Sequence, residues 1–261
     1  MPRWLVPVMS LAFWATCVIL VLLWTPFIAI FRLATFRSDP DRYRVGYVFH
    51  RIAVVAARLN PFWDFRVVDE VHPDPHRPYV FVANHQSNAD AFIVAMLPWE
   101  MKWLSKKSMF DIPLLGWMMH VAGDVEVDRA SKESAHRALV EMRDRLDRKL
   151  SVVVFPQGTR SPDGTVGPFR DGAFRLAIEA GVDVIPLAVA GTGQSLPKGS
   201  LFFRHKTSAT VTVLPPVSTK GWKVEDAPKV AEAVRTLLAA AISPGSSSSL
   251  PPPPSAPVAA S

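Results

Sequence analysis

Only one cysteine, Cys17, occurs in the 261 residues, and it stands inside an apolar run. No intramolecular disulfide can form, which fits a reducing compartment. The Gly-x-Ser-x-Gly elbow of a serine hydrolase is missing too. Without that serine, and with Cys17 in the apolar run, a covalent mechanism has no evident nucleophile. His72 and His76 lie in a Pro-rich turn (HPDPH) with no Cys or Glu nearby to complete a zinc site, so the turn reads as an exposed connector. His50, His120, His136 and His205 are scattered and suggest no site. No basic stripe interleaved with stacking aromatics is present, and no nucleic-acid motif, so nucleic acid is not an expected partner. There is no internal repeat.

Against these absences stand a surplus of positive charge and one long apolar run. Lys and Arg number 29 and Asp and Glu 23, a net charge of +6, which favours a membrane surface or a phosphorylated substrate. Residues 4–31 are 28 consecutive positions without a charge, between Arg3 and Arg32. As one helix they span roughly 42 Å, more than the ~30 Å of a bilayer core. The run is too long for the apolar region of a signal peptide, and no small-residue cleavage site follows it. Pro7 and Pro26 are expected to trim or kink its ends. Arginines 32, 37, 42, 44 and 51 follow the run whereas Arg3 precedes it, which places the remainder of the chain on the cytoplasmic face of the membrane. A re-entrant pair of helices is the alternative to a single span. Residues 47–59 suit it, because Val48, Phe49, Ile52, Val55, Ala56 and Leu59 share one helical face. Such a helix can lie in the interface plane or pack on the soluble domain.

These patterns divide the chain into a membrane anchor (residues 1–59), a catalytic-sized domain (60–243) and a Pro/Ser-rich tail (244–261). The tail carries no charge and little apolar bulk, so disorder is expected there. In the middle region, apolar, often β-branched runs at 65–68, 79–83, 152–155, 184–190 and 209–214 alternate with helical periodicity, clearest over 131–150 and again over 224–242. The expected fold is α/β: a central, mostly buried mixed sheet flanked by helices, preceded by an N-terminal membrane-inserted helix.

Two blocks carry chemistry. The first is Asn84-His85-Gln86-Ser87-Asn88-Ala89-Asp90; the second, which begins 71 residues later, is Phe155-Pro156-Gln157-Gly158-Thr159-Arg160-Ser161. Both follow runs that read as buried strands, so both loops should open on one sheet edge. On a continuous helix, His85 and Asp90 would point apart. With His85 in a loop and Asp90 in the first turn of the next helix they can meet, the carboxylate holding one ring N–H while the other nitrogen takes a proton from a hydroxyl. The same residues would also serve as a plain capping loop. In the second block, Gly158 permits close backbone approach and Arg160 offers a planar fork to phosphate oxygens. A tight turn with a solvated arginine would read the same. Asp128-Arg129 could add a second cation or form a surface ion pair. Phe169-Arg170-Asp171-Gly172 reads as a turn and residues 184–187 as a strand.

Taken in order, these blocks resemble the 1-acyl-glycerol-3-phosphate acyltransferase family of glycerolipid acyltransferases. Asn84-His85 through Asp90 is similar to its N-H-x4-D block and Gly123–Arg129 to its G-x-x-x-x-D-R block. Residues 155–161 are similar to F-P-E-G-T-R-S and 184–187 to a V-P-V-type block, so the resemblance covers about residues 60–215. It implies acyl transfer from a thioester donor, acyl-coenzyme A or acyl-carrier protein, to the free hydroxyl of a lysophosphatidate at the membrane. His85 would be the general base and Asp90 its orienting partner. Asn84, Arg129, Gln157, Gly158, Thr159 and Arg160 would serve substrate binding, with no cofactor, metal or covalent intermediate. Gln157 departs from the family's glutamate: it keeps a carbonyl acceptor but loses the charge. That departure leaves other lysophospholipid or lyso-aminolipid acceptors open, and a His-dependent thioester hydrolase is a further alternative. Acyl-chain preference, donor type and oligomeric state are not legible.

Overall fold

The computed structural model describes residues 5–69, 71–196, 200–203, 206–243 and 254. The tail expected to be disordered otherwise lies outside the described residues.

The first helix, α1 (Leu5–Ala34), continues through Pro7 and Pro26, so neither proline ends it. Its Val6–Ala34 stretch is long and apolar enough to cross a membrane. One side packs on the protein through Phe13 and Ile28, both buried, while Leu11, Val18, Leu22, Leu23, Ile30 and Leu33 are exposed. After a turn comes α2 (Tyr43–Leu59), which begins four residues earlier than the apolar periodicity suggests. The cause is Asp39, whose carboxylate accepts the Tyr43 and Val45 backbone N–H groups at 2.9 and 3.0 Å.

The rest alternates strands and helices: β1 (Trp63–Asp69), β2 (Val80–Ala83), α3 (Asp90–Val94), β3 (Met101–Lys106), α4 (Lys107–Phe110), α5 (Leu115–Ala122), β4 (Val125–Val127), α6 (Lys132–Asp147), β5 (Ser151–Val154), α7 (Gly172–Ala180), β6 (Val184–Ala190), α8 (Thr192–Ser195), β7 (Thr207–Val213) and α9 (Ala227–Ala241). The seven strands form one sheet in the order β1-β7-β6-β2-β5-β3-β4. It is mixed, since β6 and β7 pair antiparallel while every other neighbouring pair is parallel.

The sheet is apolar on both faces, which is why its strands read as continuous runs rather than alternating ones. Val80, Val82, Val152, Val154 and Val184 point to a core built with α6, α7 and α9. Phe81, Ala83, Val153, Ile185 and Leu187 point the other way, against α3 and Val54 of α2. On α6 the stripe Ala138, Met142 and Leu146 is buried, and Ser131 caps the helix by accepting the Ser134 N–H at 3.1 Å. In the centre, Val82 pairs with Val154 and Ala83 with Leu187. The loops after β2, β5 and β6 therefore leave side by side at the carboxyl edge of the sheet, where open α/β sheets place their ligands.

Candidate active site

His85 stands in the loop after β2, and Asp90 is the first residue of α3. The interposed loop turns the two side chains together, with His85 Nδ1 2.6 Å from Asp90 Oδ2. Asp90 is fully buried, and the same oxygen accepts the backbone N–H groups of Gln86 and Ser87 at 2.7 and 3.0 Å. Its other oxygen, Oδ1, accepts the Thr192 hydroxyl at 2.5 Å. An acceptor-only carboxylate so close to Nδ1 fixes the tautomer, with the ring proton on Nδ1. Nε2 then has no hydrogen-bond partner among the described residues, and the imidazole, 14 % exposed, reaches the surface. Its ring lies on Phe155, centroids 4.5 Å apart, which restricts its rotation.

The two loops are stitched to each other through this histidine. Gln157 Oε1 accepts the His85 N–H at 2.7 Å, and the Ser161 N–H donates to the His85 carbonyl at 2.8 Å. Gln157 thus holds the His85 backbone in place, and a carbonyl acceptor suffices for that contact. Asn84, expected among the substrate-binding residues, is 1 % exposed, and its amide both donates to and accepts from the Val189 backbone at 2.8 Å. It extends the β2–β6 pairing beyond the strand end and so aims the loop that follows.

The cationic side of the site is built around Gly158, whose φ of 70° is in the left-handed region. Arg129 reaches across from the β4–α6 loop and donates to the Gly158 carbonyl at 2.6 Å. Burial, and then the positive charges of Arg170 and Arg160, push its guanidinium below its usual value. Three arginines from two loops, Arg129 before α6 and Arg160 and Arg170 between β5 and α7, therefore share one neighbourhood, a pattern that an incoming anion would relieve. Thr159 is exposed and Arg160 half-buried beside them. A cleft of about 130 Å³ opens between Arg129, Arg170 and Gly158, and its walls are Leu104, Val127, Leu139 and Met142. Among the described residues, no group of three or more His, Cys, Asp or Glu side chains is arranged to hold a metal ion.

Sequence reasoning did not nominate Thr192, Arg170 or the Phe155 ring. A signal existed for the first: Gly191-Thr192 directly follows β6 just as the His85 loop follows β2, and neighbouring strand ends share a site.

The chain matches the family model described as Acyltransferase over residues 64–190. It is 34% identical over 209 residues to a 1-acyl-sn-glycerol-3-phosphate acyltransferase of Chlamydomonas reinhardtii, covering 78% of this chain and 61% of that one. It is also 34% identical over 166 residues to 1-acyl-sn-glycerol-3-phosphate acyltransferase alpha of Mus musculus, covering 63% and 58%. The chain thus spans about three-fifths of the length of these two curated relatives. Its fold is similar to the crystal structure of the 1-acyl-sn-glycerophosphate acyltransferase from Thermotoga maritima, with a TM-score of 0.75 at 26% identity over 90% of this chain and 94% of that one. Sequence, fold and the order of the motif blocks agree: residues 64–190 match the Acyltransferase family, and the chain is similar to the 1-acyl-sn-glycerol-3-phosphate acyltransferases.

Proposed function

We propose that this protein transfers an acyl group from a thioester, acyl-coenzyme A or acyl-carrier protein, to the free hydroxyl of a 1-acyl-glycerol-3-phosphate, forming phosphatidate. The observation that carries the reading is the His85–Asp90 pair, with Nε2 of the base left to a ligand, on a loop stitched through Gln157 to the one whose Phe155 and Gly158 line the arginine-bearing cleft. The acceptor hydroxyl gives its proton to Nε2 as its oxygen attacks the thioester carbonyl. Asp90 stabilises the imidazolium that forms. The tetrahedral intermediate expels the thiolate, which takes the proton back from His85. Arg160 and Arg129, with the backbone at Gly158 and Thr159, hold the acceptor phosphate. The apolar walls between β4, α6 and β5 suit an alkyl chain. Gln157 acts on the base rather than on the charge of the acceptor, so its replacement of glutamate leaves the phosphate site intact.

The reading includes the membrane. Near its start, α1 is tied to the domain by the Trp14 indole N–H, which donates to the Leu201 carbonyl at 2.7 Å. Near its end, Ile28 is fully buried in a cluster with Met118 and Met119 of α5. A perpendicular span would drag these flanking segments into hydrocarbon, where unpaired backbone is costly. The α1–α2 pair therefore lies in one leaflet on the cytoplasmic side, its exposed apolar side facing lipid.

Thiol release from an acyl-coenzyme A, measured with and without lysophosphatidate beside His85→Ala, tests the reaction. Acceptor-dependent release that falls by roughly 10²- to 10⁴-fold in the variant is expected. Equal release without acceptor would identify a hydrolase instead.

A further inference from the structure

Asp90 divides its hydrogen bonds unevenly. Oδ2 takes His85 Nδ1 and two backbone N–H groups, all from residues 85–87 of its own loop. Oδ1 faces away from that loop and accepts the hydroxyl of Thr192, 102 residues further along the chain. Both Asp90 and Thr192 are 0 % exposed, so water cannot replace this donor. No other donor to Oδ1 is placed among the described residues. The hydroxyl is delivered by Gly191, the residue between β6 and α8. Its φ is 87°, and a Cβ there would stand 2.5 Å from the Ser208 carbonyl oxygen. The turn is therefore built to put Thr192 directly under the carboxylate.

A carboxylate held at only one oxygen can rotate about its Cβ–Cγ bond. Held at both, its plane is set. We infer that Thr192 is a positioning residue for the catalytic pair: its buried hydroxyl pins the far oxygen of Asp90, keeping the near oxygen on His85 Nδ1 while the ring gains and loses its proton. The inference rests on the proposed roles of His85 and Asp90. It adds the third member of a chain Thr192–Asp90–His85 that joins the ends of β6 and β2. Thr192 does not touch the substrate in this scheme, so its loss should leave substrate binding alone.

The test uses the full chain in detergent, labelled with ¹⁵N-histidine, and the variants Thr192→Val and Thr192→Ser. Valine keeps the shape and removes the hydroxyl; serine restores the hydroxyl on a smaller side chain. The His85 Nδ1–H resonance, assigned by its loss in His85→Gln, reports the His85–Asp90 bond in the resting protein and needs no turnover. It should lie far downfield in the wild type and Thr192→Ser, and move upfield or broaden in Thr192→Val. With lysophosphatidate and acyl-coenzyme A, kcat should fall roughly ten- to hundredfold in Thr192→Val, the effect of one unsatisfied buried partner, with KM for both substrates unchanged. An unmoved resonance in a folded Thr192→Val protein overturns the inference. So does a Thr192→Ser variant as impaired as valine, which would show packing rather than hydrogen bonding, or a loss expressed in KM alone. A wild type without acyltransferase activity would refute the proposed function, yet the resonance would still decide the role of Thr192.

Discussion

At the scale of single residues, Gln157 is the informative departure. Its Oε1 accepts the His85 N–H, so what position 157 supplies to His85, the proposed base, is an acceptor of glutamine or glutamate length. Gln157→Glu should hold kcat within about threefold of wild type, whereas Gln157→Leu should lower it about tenfold by leaving that N–H without a partner. Steady-state kinetics on both variants check this, and a Gln157→Leu protein indistinguishable from wild type would remove the contact from the mechanism. The His85–Asp90 pair was legible because a five-residue spacing works only across a loop-to-helix junction, and the sequence places one there. The tasks of Asn84 and Thr192 were not legible. Their partners, Val189 and Asp90, lie more than a hundred positions away in sequence and meet them only through the pairing of β2 with β6.

At the scale of elements, the β3 strand was missed because Lys102 breaks its apolar run. The structure shows how a lysine fits there: its ammonium, 1 % exposed as a residue, donates to Glu100 Oε1 at 2.7 Å and to the Arg42 and Ala122 carbonyls at 2.7 and 2.8 Å. The same cluster fastens α2. His50 sits between Glu100 and Asp124, 3.2 Å from each, and Gly46 on α2 leaves the room that Glu100 and Lys102 occupy. Burial alone would lower the His50 pKa, but the Asp124 and Glu100 charges outweigh it and raise it from 6.5 to about 9. A raised histidine stabilises the fold below its unfolded pKa and ceases to do so as pH climbs through the folded value. Thermal stability should therefore decline between about pH 6.5 and 9, and His50→Gln should start lower and flatten that decline. Melting curves across this range decide it; a parallel decline in the variant would assign the effect to other groups.

At the scale of the whole molecule, the order of strands mattered more than their number. The strand runs at 79–83, 152–155 and 184–190 were readable one by one, and the expectation that the first two loops share an edge holds. That β6 is the other neighbour of β2 was not readable, because non-local pairing leaves no local periodicity. The posture of α1 was left open by the sequence: length and composition describe a helix that can cross a membrane, with a re-entrant pair as the alternative, and the buried Phe13 and Ile28 with the Trp14 contact support the proposed posture along the domain. Nitroxide labels at positions 11, 22 and 30, in a Cys17→Ser background and lipid vesicles, should all report similar shallow depths. A steady progression of depth across the bilayer and out of the far side would instead establish a perpendicular span.

The exposed apolar flank of α1 also changes what concentration means for this protein. On the proposed reading, the enzyme held lengthwise in a leaflet meets its lipid acceptor by diffusion in two dimensions, so its saturation should follow the mole fraction of lysolipid in the surface rather than its amount per volume. With the soluble acyl donor held saturating, diluting the leaflet with inert lipid slows the turnover of each enzyme; diluting the whole suspension with buffer does not.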